Sequence, residues 1–405
     1  MTHTLQAADV QALRAHFPAL TQGAAHFDGP GGSQTPTAVA DAVHGTLTAA
    51  IANRGLVTEA ERFADEVTLA ARAAMADFVG GDPRGIVFGR SMTQLTFDFA
   101  RTLAKDWRPG DEIVVSRLDH DSNIRPWVIA AESAGATVRW IDFEPKSGEV
   151  TLDAVEAVLS DRTRLVAITA ASNLIGTRPP VAEISRLAHA RGALLYVDGV
   201  HYSAHVPVDV AALGADFYAC SPYKFLGPHL GVVAAAPETL ESLRPDKLLP
   251  ATDVVPERFE LGTLPYELLA GTTAAVDFLA GILPGTGSRR ERLLASMAAV
   301  ERYEDGLRES VEAELDGLPQ VISHSRAASR TPTLLLTFEG HPATAVRDFL
   351  ADRKINTTVS NYYAIEASRW MGLGDEGGLR VGLAPYNDRN DIGRLTTALR
   401  DFFSL

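Results

Sequence analysis

A chain of 405 residues sets an expectation of two or three structural units at roughly 150 residues each. Apolar residues make up 46% and charged residues 22%, with 33 Gly and 22 Pro, which excludes a disordered, collagenous or disulfide-stapled chain. Lys and Arg total 37 against 51 Asp and Glu, and the net charge of -14 disfavours bulk binding to nucleic acid or to an anionic membrane. Cys220 is the single cysteine, so neither an intramolecular disulfide nor a thiolate zinc site can form. No apolar run approaches the ~20 residues of a membrane span. The opening MTHTLQAADVQALRAHF lacks a basic stretch followed by an apolar one, so no signal peptide is read and a cytoplasmic protein is expected.

Taken in chain order, residues 59–79 carry an apolar stripe at helical spacing. IVFG (86–89) reads as a strand running into a helix from Ser91. Strand 111–118, a helix near 123–134 and strand 136–143 follow. Short apolar runs recur at 163–170, 193–199, 215–221 and 230–236, with a helix predicted over 181–192. Buried strands alternating with amphipathic helices predict an α/β fold with a mostly parallel sheet between helices. Residues 267–317 read as largely helical. Strands at 332–338, 356–360 and 379–383, with helices at 342–353 and 388–403, predict a smaller α+β domain. The expected division is an N-terminal segment 1–25 joining the small domain, a large α/β domain 26–284 and the small domain 285–405.

The chemistry concentrates in YVDGVHYSAH (196–205) and ADFYACSPYKFLGPHLG (215–231). Asp198 ends one buried strand and Lys224 lies just past the end of another. In open α/β sheets, ligands bind outside the carboxyl ends of strands, so both side chains can reach one crevice. A Lys there suits a Schiff base with a carbonyl cofactor, and Asp198 is the acid that would hold a pyridinium nitrogen. His201 and His205 have the spacing of a metal pair but no third ligand is in view, so no metal is expected.

Here the chain resembles the class V aminotransferase group of fold type I pyridoxal-phosphate (PLP) enzymes, in its cysteine desulfurase-like branch. The matching pieces are HFDGPGGSQTP (26–36), RSMTQLTF (90–97), DHDSNIRPW (119–127), ASNLIGT (171–177), VDGVH (197–201), SPYK (221–224), FELGT (259–263) and GLRVGLAPYN (378–387). The resemblance implies a seven-stranded-type sheet and the cofactor pyridoxal 5'-phosphate. It implies that Lys224 carries the cofactor and moves the substrate proton, that Asp198 pairs with the ring nitrogen, and that His201 reaches the phenolic oxygen. Met92, Thr93 and Ser221 would hold the phosphate, Thr263 would reach the neighbouring subunit's phosphate in a homodimer, and Asn173 and Arg380 would face an amino-acid substrate beside Gly31.

Two departures shape the expected reaction. Desulfurases carry a catalytic Cys ahead of the Arg motif, and SNYYAIEASRWMG (360–372) has none. Persulfide relay needs such a thiolate. Where the family stacks a His on the cofactor ring, this chain has Asp121, with His120 one residue earlier. Both remain candidates for ring contact. The expected activity is therefore C–S (or C–Se) β-elimination from cysteine or an S-substituted cysteine. The alternatives are an aminotransferase, epimerase or decarboxylase, and, from another class, a non-catalytic binding protein that keeps the fold.

Overall fold

The computed structural model describes residues 5–404; the first four residues of the N-terminal segment lie outside them. Helix α1 (Ala7–Arg14) leads into α2 (Thr37–Thr48) and α3 (Glu59–Val79). A capping box starts α3: the Thr58 hydroxyl accepts the Glu61 N–H while Glu61 accepts the Thr58 N–H. Gly80, at φ 75°, ends it in the left-handed region that glycine adopts freely. Helix α2 buries only Val39 and Thr46, so it lacks the apolar stripe by which a sequence reveals a helix.

The large sheet holds β1 (Ile86–Gly89), β2 (Glu112–Ser116), β3 (Thr137–Ile141), β4 (Thr163–Thr169), β5 (Leu194–Asp198), β6 (Phe217–Cys220) and β7 (Gly231–Ala235). Their spatial order is β1-β7-β6-β5-β4-β2-β3. The run from β6 to β3 is parallel, whereas β7 lies antiparallel to both β6 and β1. Helices α4 (Met92–Leu103), α5 (Arg125–Ala134), α6 (Val181–His189) and α7 (Tyr266–Ala280) cover it. Alternate residues of each strand enter opposite clusters. Phe88, Val114, Val197 and Tyr218 pack with Met75 and Leu279 on one face; Val87, Val115, Tyr196 and Phe217 pack with Phe99 and Trp127 on the other. Burial on both faces explains why the inner strands are mostly apolar runs, while edge strand β3 leaves Thr137 and Arg139 exposed.

Helix α8 (Arg289–Leu315) then spans two cores: Leu293 and Met297 join the large-sheet cluster, and Leu307 and Val311 join that of a second sheet. This sheet comprises β8 (Val321–Ser323), β9 (Thr333–Phe338), β10 (Thr358–Ser360) and β11 (Gly378–Gly382). Its order is β10-β11-β9-β8, antiparallel throughout, flanked by α9 (Ala343–Ala351), α10 (Ile365–Trp370) and α11 (Arg389–Phe403). The stretch predicted as one strand over 356–360 divides. Ile355–Asn356 pairs in parallel with Ala25–His26, while Thr358–Ser360 pairs with Gly378–Arg380. Arg14 of α1 bonds Asp391 at 2.8 Å, tying the amino-terminal segment to α11.

Candidate active site

The site lies at the carboxyl ends of β5 and β6, with the small sheet facing it. Asp198 closes β5 and is 4% exposed. Its Oδ1 accepts the Val200 N–H at 2.9 Å. Burial pushes its carboxyl up to about 6, against the pull of that N–H and of Lys224. Lys224 ends a short 3-10 turn, Pro222–Lys224, just past β6. Its Nζ donates to the Pro30 carbonyl and, at 3.2 Å, to that of Gly31. Burial, then the Arg380 charge, brings the Lys224 amine down to about 7, with Asp198 opposing. The shift favours the free base over what an exposed lysine would hold. The GPGG turn is tied to the lysine turn through Ser33, which accepts the Leu226 N–H at 2.8 Å.

Met92 and Thr93 open α4, whose first N–H groups have no intrahelical partners and carry the positive end of the helix dipole. Ser91 caps the helix by accepting the Gln94 N–H at 3.1 Å. Gly231 crosses directly behind: a Cβ there would lie 2.1 Å from the Ser91 carbonyl carbon, so only glycine lets β7 approach. Ser221 is buried at the end of β6, whereas Thr263 is exposed.

The histidines divide their tasks. His120 senses Lys224 and Arg380, and burial followed by those charges lowers it to about 4. Its Nδ1 accepts the Ser122 N–H at 3.0 Å and lies 2.7 Å from the Ser122 hydroxyl; its ring meets Tyr363 at 5.4 Å. Asp121 turns instead to Arg125, at 3.0 Å. His201 is neutral through burial, the neighbouring His205, Arg380 and Lys224 adding to the effect. Its Nε2 lies 2.9 Å from the Thr331 hydroxyl and 3.0 Å from that of Thr333. His205 packs edge-on against it at 4.8 Å and meets buried Glu304 at 2.8 Å.

Arg380 comes from β11 and is 3% exposed. Among the described residues no carboxylate lies within ion-pair distance of it. Its Nη1 donates to the Asn173 carbonyl at 2.7 Å, while its buried Nε has no partner. Asn173 donates Nδ2 to the Tyr362 carbonyl at 2.9 Å, leaving its buried Oδ1 without a partner. Burial brings Arg380 down to about 10, against the pull of Tyr362 and Asp28. The structure thus gathers Lys224, Asp198, His201, His120, Asn173, Gly31 and Arg380, and leaves Asp121 in a surface pair and Thr263 outside. Sequence reasoning gave no definite role to two groups. One is Asp119, fully buried, its carboxyl raised well above the usual range by burial and bonded to Asn123 at 2.7 Å. The other is Tyr362, which the sequence offered, with Tyr363, equally as a pocket-shaping residue or as packing, with no link to Arg380 or Asn173. Among the described residues there is no group of three His, Cys, Asp or Glu placed to hold a metal, and no helix long and apolar enough to cross a membrane.

Known proteins resemble this chain over nearly its whole length. The family described as Aminotransferase class-V matches residues 25–395. An uncharacterised protein of Mycobacterium tuberculosis is 32% identical over 96% of this chain and 98% of its own length. A probable cysteine desulfurase of Pseudomonas aeruginosa is 31% identical over 95% of this chain and 96% of its own. Among solved structures, the Escherichia coli cysteine desulfurase CsdA superposes with a TM-score of 0.87 at 26% identity, covering 99% of each chain.

Proposed function

The chain belongs to the aminotransferase class-V family, whose members are pyridoxal 5'-phosphate-dependent enzymes, and on that premise we propose that it is a C–S β-lyase of cysteine or an S-substituted cysteine. The residues present fit the cofactor. Asp198 is a buried carboxylate suited to a pyridinium nitrogen, Lys224 an amine able to carry the aldehyde carbon, and Asn173 Oδ1 a buried acceptor awaiting a donor. Met92, Thr93 and Ser221 would hold the phosphate, and His120 or His201 the ring and its phenolic oxygen. Asp121, committed to Arg125, is left to shape the pocket mouth. When bound, the cofactor withdraws electrons from the substrate Cα, weakening its C–H bond.

The chain's own groups supply the rest. Arg380 offers an unpaired guanidinium edge to the substrate α-carboxylate, a bidentate partner held without a competing internal anion. A Cβ at Gly31 would lie 3.8 Å from the Arg380 Nη2, so glycine there keeps side-chain bulk off that edge. Lys224, titrating near 7, takes the proton from Cα. Asp198 keeps the ring nitrogen protonated. The Cβ–S bond breaks, the sulfur leaves as a thiol with one proton, and one water converts the remainder to pyruvate and ammonia. The observation that carries this reading over sulfur relay is Cys220: the only thiol is 0% exposed on β6, and burial holds it far above its ordinary range.

A homodimer is part of the same reading, with Thr263 reaching the partner's phosphate. Support comes from the exposure of Leu261, Leu248, Leu249 and Val254 around that turn. The same reading divides the chain into a large cofactor-binding α/β domain over 26–284 and a small α+β domain over 285–405.

The experiment supplies purified holoenzyme with cysteine, cystine and S-methyl-L-cysteine and follows pyruvate, ammonia and the released sulfur product, which is sulfide from cysteine, the hydrodisulfide of cysteine from cystine and methanethiol from S-methyl-L-cysteine. Equal amounts of all three without an added acceptor are expected. A keto acid formed only when an acceptor keto acid is added would assign the protein to transamination instead. Light-scattering mass measurement checks the dimer.

A further inference from the structure

We propose that Tyr362 is a positioning residue that aligns Arg380 and Asn173 for the substrate carboxylate, so that the loop over 360–364 is a fixed wall of the pocket and not a moving arm. The inference rests on Arg380 being the carboxylate site of the function proposed above.

Three separate groups of Tyr362 reach Arg380 and Asn173. Its ring lies 3.7 Å from the Arg380 Cζ, a cation–π contact in a dry setting. Its hydroxyl oxygen accepts the Arg380 backbone N–H at 3.1 Å. Its carbonyl accepts Asn173 Nδ2 at 2.9 Å. The ring thereby covers one face of the guanidinium, and the Asn173 carbonyl occupies Nη1. Among the described residues the guanidinium's one hydrogen bond uses Nη1, and its buried Nε donor and the buried Oδ1 acceptor of Asn173 are without partners. Tyr362 thus restricts the orientation in which the guanidinium can receive a carboxylate.

The loop is held against local cost. Tyr362 and Tyr363 take φ of 54° and 59°, left-handed values unfavourable for bulky residues unless the surroundings enforce them. The enforcement is visible. The Tyr362 N–H donates to the Ser360 hydroxyl at 3.1 Å and the Tyr363 N–H to Asn361 Oδ1 at 2.9 Å. The Tyr363 carbonyl accepts the Asp121 N–H at 2.7 Å from across the domain boundary. Beyond the loop, α10 is riveted to the large domain. Arg117 lies between the rings of Trp140 and Trp370, at 4.8 and 4.9 Å, and bonds Glu366 at 3.1 Å. The Trp370 indole donates to the Phe143 carbonyl at 2.8 Å. A segment pinned at both ends suits orientation of a substrate and leaves it no freedom to carry a group away.

The test uses holoenzymes of wild type, Y362F, Y362G and R380Q. Affinity for S-methyl-L-cysteine is read from the change in cofactor absorbance, KM and kcat from pyruvate release, and loop protection from hydrogen exchange over 360–364. Glycine suits φ 54°, so Y362G keeps the backbone and its Asn173 bond and loses only ring and hydroxyl. The expected result is about 10- to 30-fold weaker affinity in Y362G, mirrored in KM, with kcat within about threefold. Y362F, keeping the ring, recovers to within about threefold of wild type. R380Q weakens binding at least as much as Y362G. Should Y362G lose its fold by thermal melting, Y362N, whose side chain also tolerates this φ, replaces it. Wild-type affinity in the Tyr362 variants alongside a weakened R380Q overturns the positioning role and leaves the carboxylate site standing. Wild-type affinity in R380Q overturns the carboxylate site and this inference with it. A loop unprotected from exchange in wild type overturns the fixed wall.

Discussion

Two arginines lie equally buried, each 3% exposed, in different regions of the molecule. Arg72, on α3, is answered by an anion of its own chain: both oxygens of Glu260 meet it at 2.9 and 2.8 Å, and its Nη1 also reaches the Ile86 carbonyl at 2.6 Å. Arg380, on β11, has a carbonyl, a tyrosine ring and no carboxylate. Both keep an unpartnered Nε, so that atom alone does not separate them. The missing counter-ion does. Burying a charge is expensive unless an anion answers it. A fold that supplies the anion for Arg72 and withholds it from Arg380 has made one arginine a structural tie, and in the function proposed above the other is open to a carboxylate from outside.

Removing each arginine's setting sharpens that contrast. Glu260→Ala strands Arg72, and the loss of unfolding free energy in urea is expected at about 3–5 kcal/mol; a loss below about 1 kcal/mol would erase the distinction. Arg380→Met removes a charge the fold does not pair. Its unfolding free energy is expected to stay within about 1 kcal/mol of wild type or to rise, while amino-acid affinity falls about 30-fold or more, as for a severed buried carboxylate pair. The charge surroundings of Arg380 predict a pH effect in cofactor-free protein. The unfolded chain holds the Lys224 proton up to its ordinary 10.5, but the fold releases it near 7. Between those values the unfolded state binds more protons, so stability rises with pH, and Lys224→Met should flatten the rise in melting temperature. Asp198, raised to about 6 from an ordinary 3.8, acts in the opposite sense. Across that lower window the fold holds the extra proton and stability falls with rising pH, a slope Asp198→Asn should remove. The smallest effect belongs to Cys220→Ala, expected to keep thiol and pyruvate release within about twofold at a stability cost of about 1 kcal/mol. Abolished thiol release in a folded variant would return the chemistry to a cysteine.

Much of the fold was legible because it obeys local rules. Helix 59–79 has its stripe, its Thr58–Glu61 box and its Gly80 stop, and the predicted limits coincide with the observed Glu59–Val79. The inner strands of the large sheet are mostly apolar because both of their faces are covered, whereas the edge strand Thr137–Ile141 exposes Thr137 and Arg139. Lys224 and Asp198 stood out as charged residues at the ends of such runs. Other features were beyond reach. Which of His120 and Asp121 faces Lys224 is settled by one 3-10 turn, Asp121–Asn123, and by Arg125 waiting at the surface. A shift of one residue there exchanges a neutral imidazole for a carboxylate. The break at Thr357, between two short strands that pair with different partners, has no local mark either.

What the amino-acid order determined by itself is the succession of apolar runs and helical stripes, the family, and the absence of a thiol at the place where relay chemistry requires one. Those properties follow from neighbours along the chain and from residue type. The tertiary structure alone decided that Arg380 lacks an anion, that Asn173 Oδ1 is left open, and that Tyr362 reaches both residues. Each depends on groups separated by many residues in sequence, and the low dielectric in which an unpaired charge becomes consequential exists only once the two sheets have closed around it.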